Sequence, residues 1–219
     1  MLIDLKLDGK TVMVIGGGRE AYRKTQNFVD SGAKIWVISR SFSSEMQKLC
    51  EDKKVALLKT EIQDAKTFVS SLNPKPDVLL AVTDEPALNC ELVKAAKACG
   101  SMVYSVDNPA QSDFILPAVA KVGDVKVAVS TSGKSPAMAR VLRQRIEKLV
   151  TPEDLLEIEL QSHVRGILKD RVSDSETRGK VLYEILNNDN IKQALKQGKL
   201  EEAQELSMKL IEKKEKKTN

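Results

Sequence analysis

Residues 11–18, TVMVIGGG, run five apolar or β-branched positions into three consecutive glycines, and the helix-like REAYRK follows at once. A strand that stops at a glycine turn and passes without a linker into a helix is the opening of a strand–helix–strand unit. Such a unit closes by a right-handed crossover onto a parallel neighbour. The next segments keep the alternation. KIWVIS reads as a second strand, SSEMQKLCEDK as a helix, VALLKTE as a third strand, DVLLAVT as a fourth and SMVYSVD as a fifth. The helix-like ALNCELVKAAKACG lies between the last two and stops at Gly100, while REAYRKTQNFVDSG reads as one helix ended by Gly32.

After Asp107 the rhythm changes. FILPAVAKVGDVKVAVSTSG holds two strand-like runs around Val122-Gly123-Asp124, the pattern of a hairpin. SPAMARVLRQRIEKLV then opens a helix with Ser135 as N-cap and Pro136 in its first position. From about residue 151 the chain is helix-like and polar, and KLIEKKEKKTN reads as a frayed, solvated helix end. The expected fold is α/β: a Rossmann-like parallel sheet over 1–112, a hairpin-and-helix segment over 113–150 and an all-α segment over 151–219.

The chain is 42% hydrophobic, enough for a core, and its net charge of +4 balances 35 basic against 31 acidic residues. With 4% aromatic residues and no basic stripe, nucleic acid is not an expected partner. Cys50, Cys90 and Cys99 have no CxxC spacing and read as reduced thiols. The charged N-terminus, MLIDLKLDGKTV, lacks the apolar centre of a signal peptide, and no apolar run nears the ~20 residues of a membrane span. A cytoplasmic location is expected, without a membrane partner.

Gly16-Gly17-Gly18-Arg19-Glu20-Ala21 fits GxGxxA. Gly16 permits the tight turn, Gly18 lets backbone approach a pyrophosphate, and a small Ala21 lets helix and strand pack closely. Backbone N–H groups at the helix start would then face the phosphates. The acidic residue expected on the adenine ribose is missing: the second strand ends in Ser39, Arg40 and Ser41. Arg40 either holds a 2′-phosphate, which favours NADP, or is an exposed arginine at a strand end. The loop AVTDEP brings Thr83, and with it Asp84, near the nicotinamide half, where Thr83 is expected to offer backbone contacts. An aspartate at Gly16 is expected to abolish NAD dependence with the fold intact.

Asp107 ends the fifth strand, and in a parallel sheet the carboxyl ends of strands face the ligand crevice. It either accepts a proton in a reaction or forms a turn before Asn108-Pro109. STSGKSP, with Thr131, Ser132, Gly133, Lys134 and Ser135, offers hydroxyls and a helix start that attract anions, and Arg140 and Arg143 add charge at i and i+3. The alternative is a capped helix with solvated charges. His163 has no second histidine or cysteine at ligand spacing, so no metal site is expected.

GGGREAYRK, VDNPAQSDFILPA and VAVSTSGKSPAMARVLRQRIE, in that order and spacing, resemble the precorrin-2 dehydrogenase/sirohydrochlorin ferrochelatase family. The resemblance covers about residues 1–150 and continues loosely through KDRVSDSETRGKVLYEIL. It implies NAD-dependent oxidation of precorrin-2 to sirohydrochlorin and, in some members, insertion of ferrous iron to give sirohaem. It also implies a homodimer built on the segment behind the parallel sheet. Asp107 matches the family's key aspartate, and Arg19, Glu20, Arg40 and Ser41 fall where the family touches NAD. Thr131 stands where the family has a serine linked with regulation of the cavity. The methyltransferase module of fused synthases is not expected, since the sequence stops at Asn219. Two other readings are an enzyme limited to oxidation, working beside a separate chelatase, and a non-catalytic NAD-sensing module. The sensor would have no use for VDNPAQSDFILPA or STSGKSP.

Overall fold

The computed structural model describes residues 2–218, and of 215–218 the backbone alone. Among the described residues the chain forms two compact units, the first ending at Leu116 and the second beginning at Pro117. In the first, β1 (Thr11–Ile15), β2 (Lys34–Ser39), β3 (Ala56–Lys59), β4 (Val78–Ala81) and β5 (Met102–Ser105) form one parallel sheet in the order β3-β2-β1-β4-β5. The two central strands, TVMVI and VLLA, are buried at every position, which is why they read as unbroken apolar runs.

Successive side chains of β1 point to opposite faces and feed two apolar layers. Val12 and Val14 join Val37, Phe28 and Met46 on one face, while Met13 and Ile15 join Leu79, Val69 and Leu92 on the other. Each fully buried side chain of this size contributes roughly 1.5–3 kcal/mol. The helices that close the layers are α1 (Arg19–Thr25), α2 (Ser44–Glu51), α3 (Ala65–Ser71) and α4 (Pro86–Ala98). The α/β expectation is borne out.

Two local readings are corrected. The helix behind the glycine turn stops at Thr25 instead of running towards Gly32. The Thr25 hydroxyl donates back to the Ala21 carbonyl, and the Asn27 amide donates to the carbonyls of Arg23 and Lys24, which closes the helix from its own side chains. Asp30 then takes a left-handed φ of 65°. Between β3 and β4 no helix is expected from the sequence. α3 forms there, with Asp64 accepting the Thr67 N–H at 2.6 Å.

In the second unit β6 (Ala118–Val122) and β7 (Val125–Val129) pair antiparallel, with Val122 opposite Val125. The two-residue loop Gly123-Asp124 is therefore the expected hairpin turn, and Gly123 supplies its φ of 55°. α5 (Pro136–Glu147) starts as read, with Ser135 Oγ accepting the Met138 N–H at 3.2 Å. α6 (Pro152–Arg171), opened by a Thr151/Asp154 capping box, α7 (Ser175–Leu186), α8 (Asp189–Lys196) and α9 (Leu200–Thr218) share a core of Leu160, Val164, Leu168, Ile185, Ile191 and Ile211. The charged C-terminal stretch is thus held at Ile211, not frayed throughout. Among the described residues no helix is long and apolar enough to cross a membrane.

Candidate active site

β1 and β4 lie side by side, but the chain leaves them towards opposite edges of the sheet, so their carboxyl ends part and leave a crevice. A cleft of about 540 Å³ opens there, walled by the glycine turn, the ends of β2 and β3 and the loop after β4. The glycines divide the labour. Gly16 has a φ of 127°, and a Cβ on it would stand 2.2 Å from the Val82 carbonyl oxygen. A Cβ on Gly17 would stand 2.0 Å from the Ser41 carbonyl oxygen, so the middle glycine, which the motif leaves unspecified, is as constrained as the first. Gly18 meets nothing within 4 Å and turns its bare backbone to open space. An aspartate at Gly16 would therefore strain the turn as well as add charge, which corrects the expectation that the fold would be untouched.

Gly16, Gly18, Glu20, Arg40, Ser41 and Thr83 all line this cleft, whereas Arg19 is not part of its wall. Glu20 is tied to its own helix by Arg23 at 2.8 Å and Lys24 at 3.3 Å. Arg40 is not a solitary strand-end cation. Glu85 lies 3.0 Å, Glu61 3.7 Å and Asp84 3.8 Å from its guanidinium. Glu61 and Glu85 come from distant loops, and only the fold gathers them.

Thr83 is held from below by Asn89, which is fully buried on α4. Asn89 Oδ1 accepts the Thr83 N–H at 3.1 Å and its hydroxyl at 2.7 Å, and Asn89 Nδ2 donates to the Thr83 carbonyl at 3.1 Å. Of the Thr83 backbone groups expected to contact the nicotinamide half, the N–H is engaged by Asn89, while the carbonyl keeps a second lone pair.

Val106 lines the cleft, and the next residue, Asp107, lines a neighbouring cavity of about 370 Å³ with Pro86, Cys90, Ser105, Asn108 and Gln111. The Ser105 hydroxyl donates to Asp107 at 2.7 Å. That bond holds the carboxyl below its ordinary 3.8 against the opposing effect of burial, helped by the amides of Asp107, Asn89 and Asn108. The Gln111 Nε2 donates to Cys90 Sγ at 3.4 Å. Asp107 is therefore an exposed, ionised carboxylate fixed at a strand end beside the cleft.

In the second unit Ser132 and Gly133 both have positive φ, at 52° and 78°, and fold the STSGKSP loop tightly between β7 and α5. The Thr131 hydroxyl accepts the Ser135 N–H at 3.1 Å, so it serves the loop's own shape. Lys134 and Arg140 are exposed. Arg143 is paired with Glu147 one turn on, so the two arginines are not equivalent free forks. His163 is exposed on α6, and among the described residues no group of acidic, histidine or cysteine side chains is placed to hold a metal ion.

Known proteins match this arrangement in two blocks. A family described as putative NAD(P)-binding matches residues 3–118, and one described as the central part of a sirohaem biosynthesis protein matches 122–149. Siroheme synthase 1 of Aeromonas salmonicida (strain A449) is 30% identical over 203 residues, 92% of this chain and 42% of that protein. Siroheme synthase of Pseudomonas paraeruginosa (strain DSM 24068 / PA7) is 32% identical over 200 residues, 91% of this chain and 42% of that protein. The chain spans less than half the length of these relatives. A solved structure named SirC, precorrin-2 dehydrogenase, superposes with a TM-score of 0.74 at 20% identity, covering 95% of this chain and 99% of that one. At that identity the likeness is one of fold.

Proposed function

We propose that this chain, which belongs to the putative NAD(P)-binding family, is a precorrin-2 dehydrogenase of sirohaem biosynthesis. Precorrin-2 and NAD⁺ would give sirohydrochlorin, NADH and a proton. The observation that carries the reading is the adjacency of two sites: a glycine-turn cleft and, one residue along from its wall, a fixed carboxylate. The relatives' names, siroheme synthase and precorrin-2 dehydrogenase, agree with it.

The cleft suits a nicotinamide dinucleotide in size and in its walls. Gly18 offers bare backbone where a pyrophosphate must come close, and Gly16 and Gly17 hold the turn that presents it. When bound, the nicotinamide supplies the hydride acceptor. Arg40 and Ser41 border the adenine-ribose end. Three carboxylates already face Arg40, so a 2′-phosphate would meet net negative charge; this supports NAD over NADP.

Asp107 keeps a negative charge at neutral pH, which suits it to stabilise the positive charge that grows on the macrocycle as a hydride leaves. Its lowered basicity makes lasting proton storage the lesser role, and the released proton passes to solvent. Insertion of ferrous iron would draw on the same carboxylate to receive pyrrole protons. Within the second unit Lys134, Arg140, Arg143 and the Thr131–Ser135 loop offer hydroxyls and positive charge of the kind that suits tetrapyrrole carboxylates.

The division into a cofactor domain over 1–112, a dimerisation segment over 113–150 and a helical domain over 151–219 is part of the proposal. Support for a homodimer comes from the hairpin and α5. Among their described residues only Ala120 and Ala139 are buried, so the layer lacks a core of its own. Cys50, Cys90 and Cys99 are free thiols, in keeping with a cytoplasmic enzyme.

The test is an anaerobic mixture of protein, precorrin-2 and NAD⁺, followed at the absorbances of sirohydrochlorin and NADH. The two products should rise one to one. Sirohydrochlorin without NADH, or neither product, overturns the reading. A parallel run with ferrous iron separates the oxidising enzyme from a bifunctional one.

A further inference from the structure

We propose that Gln111 is a specificity-determining residue of the cavity beside Asp107, where its carbonyl oxygen accepts an N–H from the macrocycle. This cavity then meets the pyrrole N–H face of the substrate and not its carboxylate rim. The inference rests on the proposed function above and deepens it by naming what orients the substrate.

Gln111 ends the short 3₁₀ turn Pro109–Gln111 behind β5, with its N–H on the Asn108 carbonyl at 3.1 Å. The chain is clamped just beyond it. The Ser112 hydroxyl accepts the Ser105 N–H at 2.9 Å, and the Asp113 carboxylate accepts the Val103 N–H at 2.9 Å. Lys97 lies 2.7 Å from the other Asp113 oxygen. These bonds line the free edge of β5 where a further strand would pair, and they hold the loop that carries Asp107 and Gln111. Both residues line the same cavity.

The Gln111 amide is only half used. Its Nε2 donates to Cys90 Sγ at 3.4 Å, and sulfur is a weak acceptor. Its Oε1 is buried and, among the described residues, is the one such side-chain oxygen or nitrogen without a hydrogen-bond partner. A carbonyl shut away in this manner is costly until a donor completes it. The N–H···S contact is easily given up, so the side chain is free to turn its oxygen to a donor in the cavity that it already lines.

The rest of the wall selects the donor. Pro86, Cys90, Ser105, Asp107, Asn108 and Gln111 include no basic side chain, and Asp107 is ionised. The Ser105 hydroxyl is spent on that carboxylate. A carboxylate rim would meet a like charge here with no cation to offset it. Pyrrole N–H groups are donors, and they find two acceptors, Asp107 and Gln111.

The experiment compares metal-free sirohydrochlorin with its copper(II) complex by calorimetric titration at neutral pH. The square-planar metal replaces the pyrrole N–H protons and leaves the rim unchanged. The wild type should bind the metal-free ring at least about tenfold more tightly, the scale of the hydrogen bonds it alone offers. Gln111→Met, which lacks the carbonyl, should cut that preference to about threefold or less, and Gln111→Glu, which keeps an acceptor oxygen, should retain it. Should the variants fail to fold, the wild type alone decides. Equal wild-type affinities for the two macrocycles, or an undiminished preference in folded Gln111→Met, overturn the inference. Wild type that binds neither macrocycle defeats the proposed function itself.

Discussion

The Ser105 hydroxyl and the Asp107 carboxylate, two residues apart at the end of β5, are joined by a 2.7 Å hydrogen bond in which the serine donates. Ser105 is buried and Asp107 exposed, so a rigid element aims a charge at the cavity it borders.

Removing that donor should change the acid limb of activity. The bond lowers the folded-state pKa of Asp107, so the carboxylate persists to lower pH than an ordinary one. Ser105→Ala should move the acid limb of kcat/KM upward and leave the neutral plateau nearly unchanged. A pH–rate profile of both proteins checks this.

The glycines should separate under mutation. Gly18→Asp adds a carboxylate where a Cβ has room, so NADH affinity should fall at least tenfold while the melting temperature stays within a few degrees. Gly17→Ala should instead lower stability, because its Cβ would collide with the Ser41 carbonyl. Fluorescence titration and thermal unfolding distinguish the two outcomes.

Arg40 and its carboxylates should govern coenzyme choice. Glu85→Gln with Glu61→Gln removes two of the acidic partners of Arg40, and the preference for NAD over NADP should narrow. Arg40→Ala should alter NAD affinity little, since half-exposed ion pairs contribute about 0–1 kcal/mol. Kd values for both coenzymes test the pair.

Acid stability follows from carboxylates that accept backbone N–H groups. Asp64, Asp77, Asp154 and Asp174 accept backbone N–H bonds in the fold and lie below their ordinary 3.8. A depressed folded-state value contributes stability above the unfolded value and loses it as pH falls through the folded one. Urea midpoints should therefore be level from pH 7 to about 5 and drop below about 4. In the helical unit Leu168→Ala, at a fully buried site, should cost about 2–5 kcal/mol.

Much of this molecule is written locally. TVMVIGGG announces its strand and turn because both faces of β1 are buried and because Gly16 needs a φ that other residues avoid. The Ser135-Pro136 helix start and the Gly123-Asp124 turn are likewise properties of neighbouring residues. The early end of α1 is encoded in Thr25 and Asn27, but as side-chain bonds that hydrophobic periodicity does not register. Gly17 is unspecified in the motif because its constraint comes from Ser41, on another loop. The acidic partners of Arg40 and the bonds of Asn89 depend on loops that only the fold brings together, so the sequence showed an arginine and an asparagine without their roles.

The most direct measurement compares wild type with Asp107→Asn, mixed anaerobically with precorrin-2 and NAD⁺, for the initial rate of sirohydrochlorin formation. The account predicts turnover by the wild type and a rate at least ~100-fold lower in the variant, with NADH affinity retained. Wild-type turnover by Asp107→Asn would contradict it, for the carboxylate beside the cleft would then take no part in the chemistry.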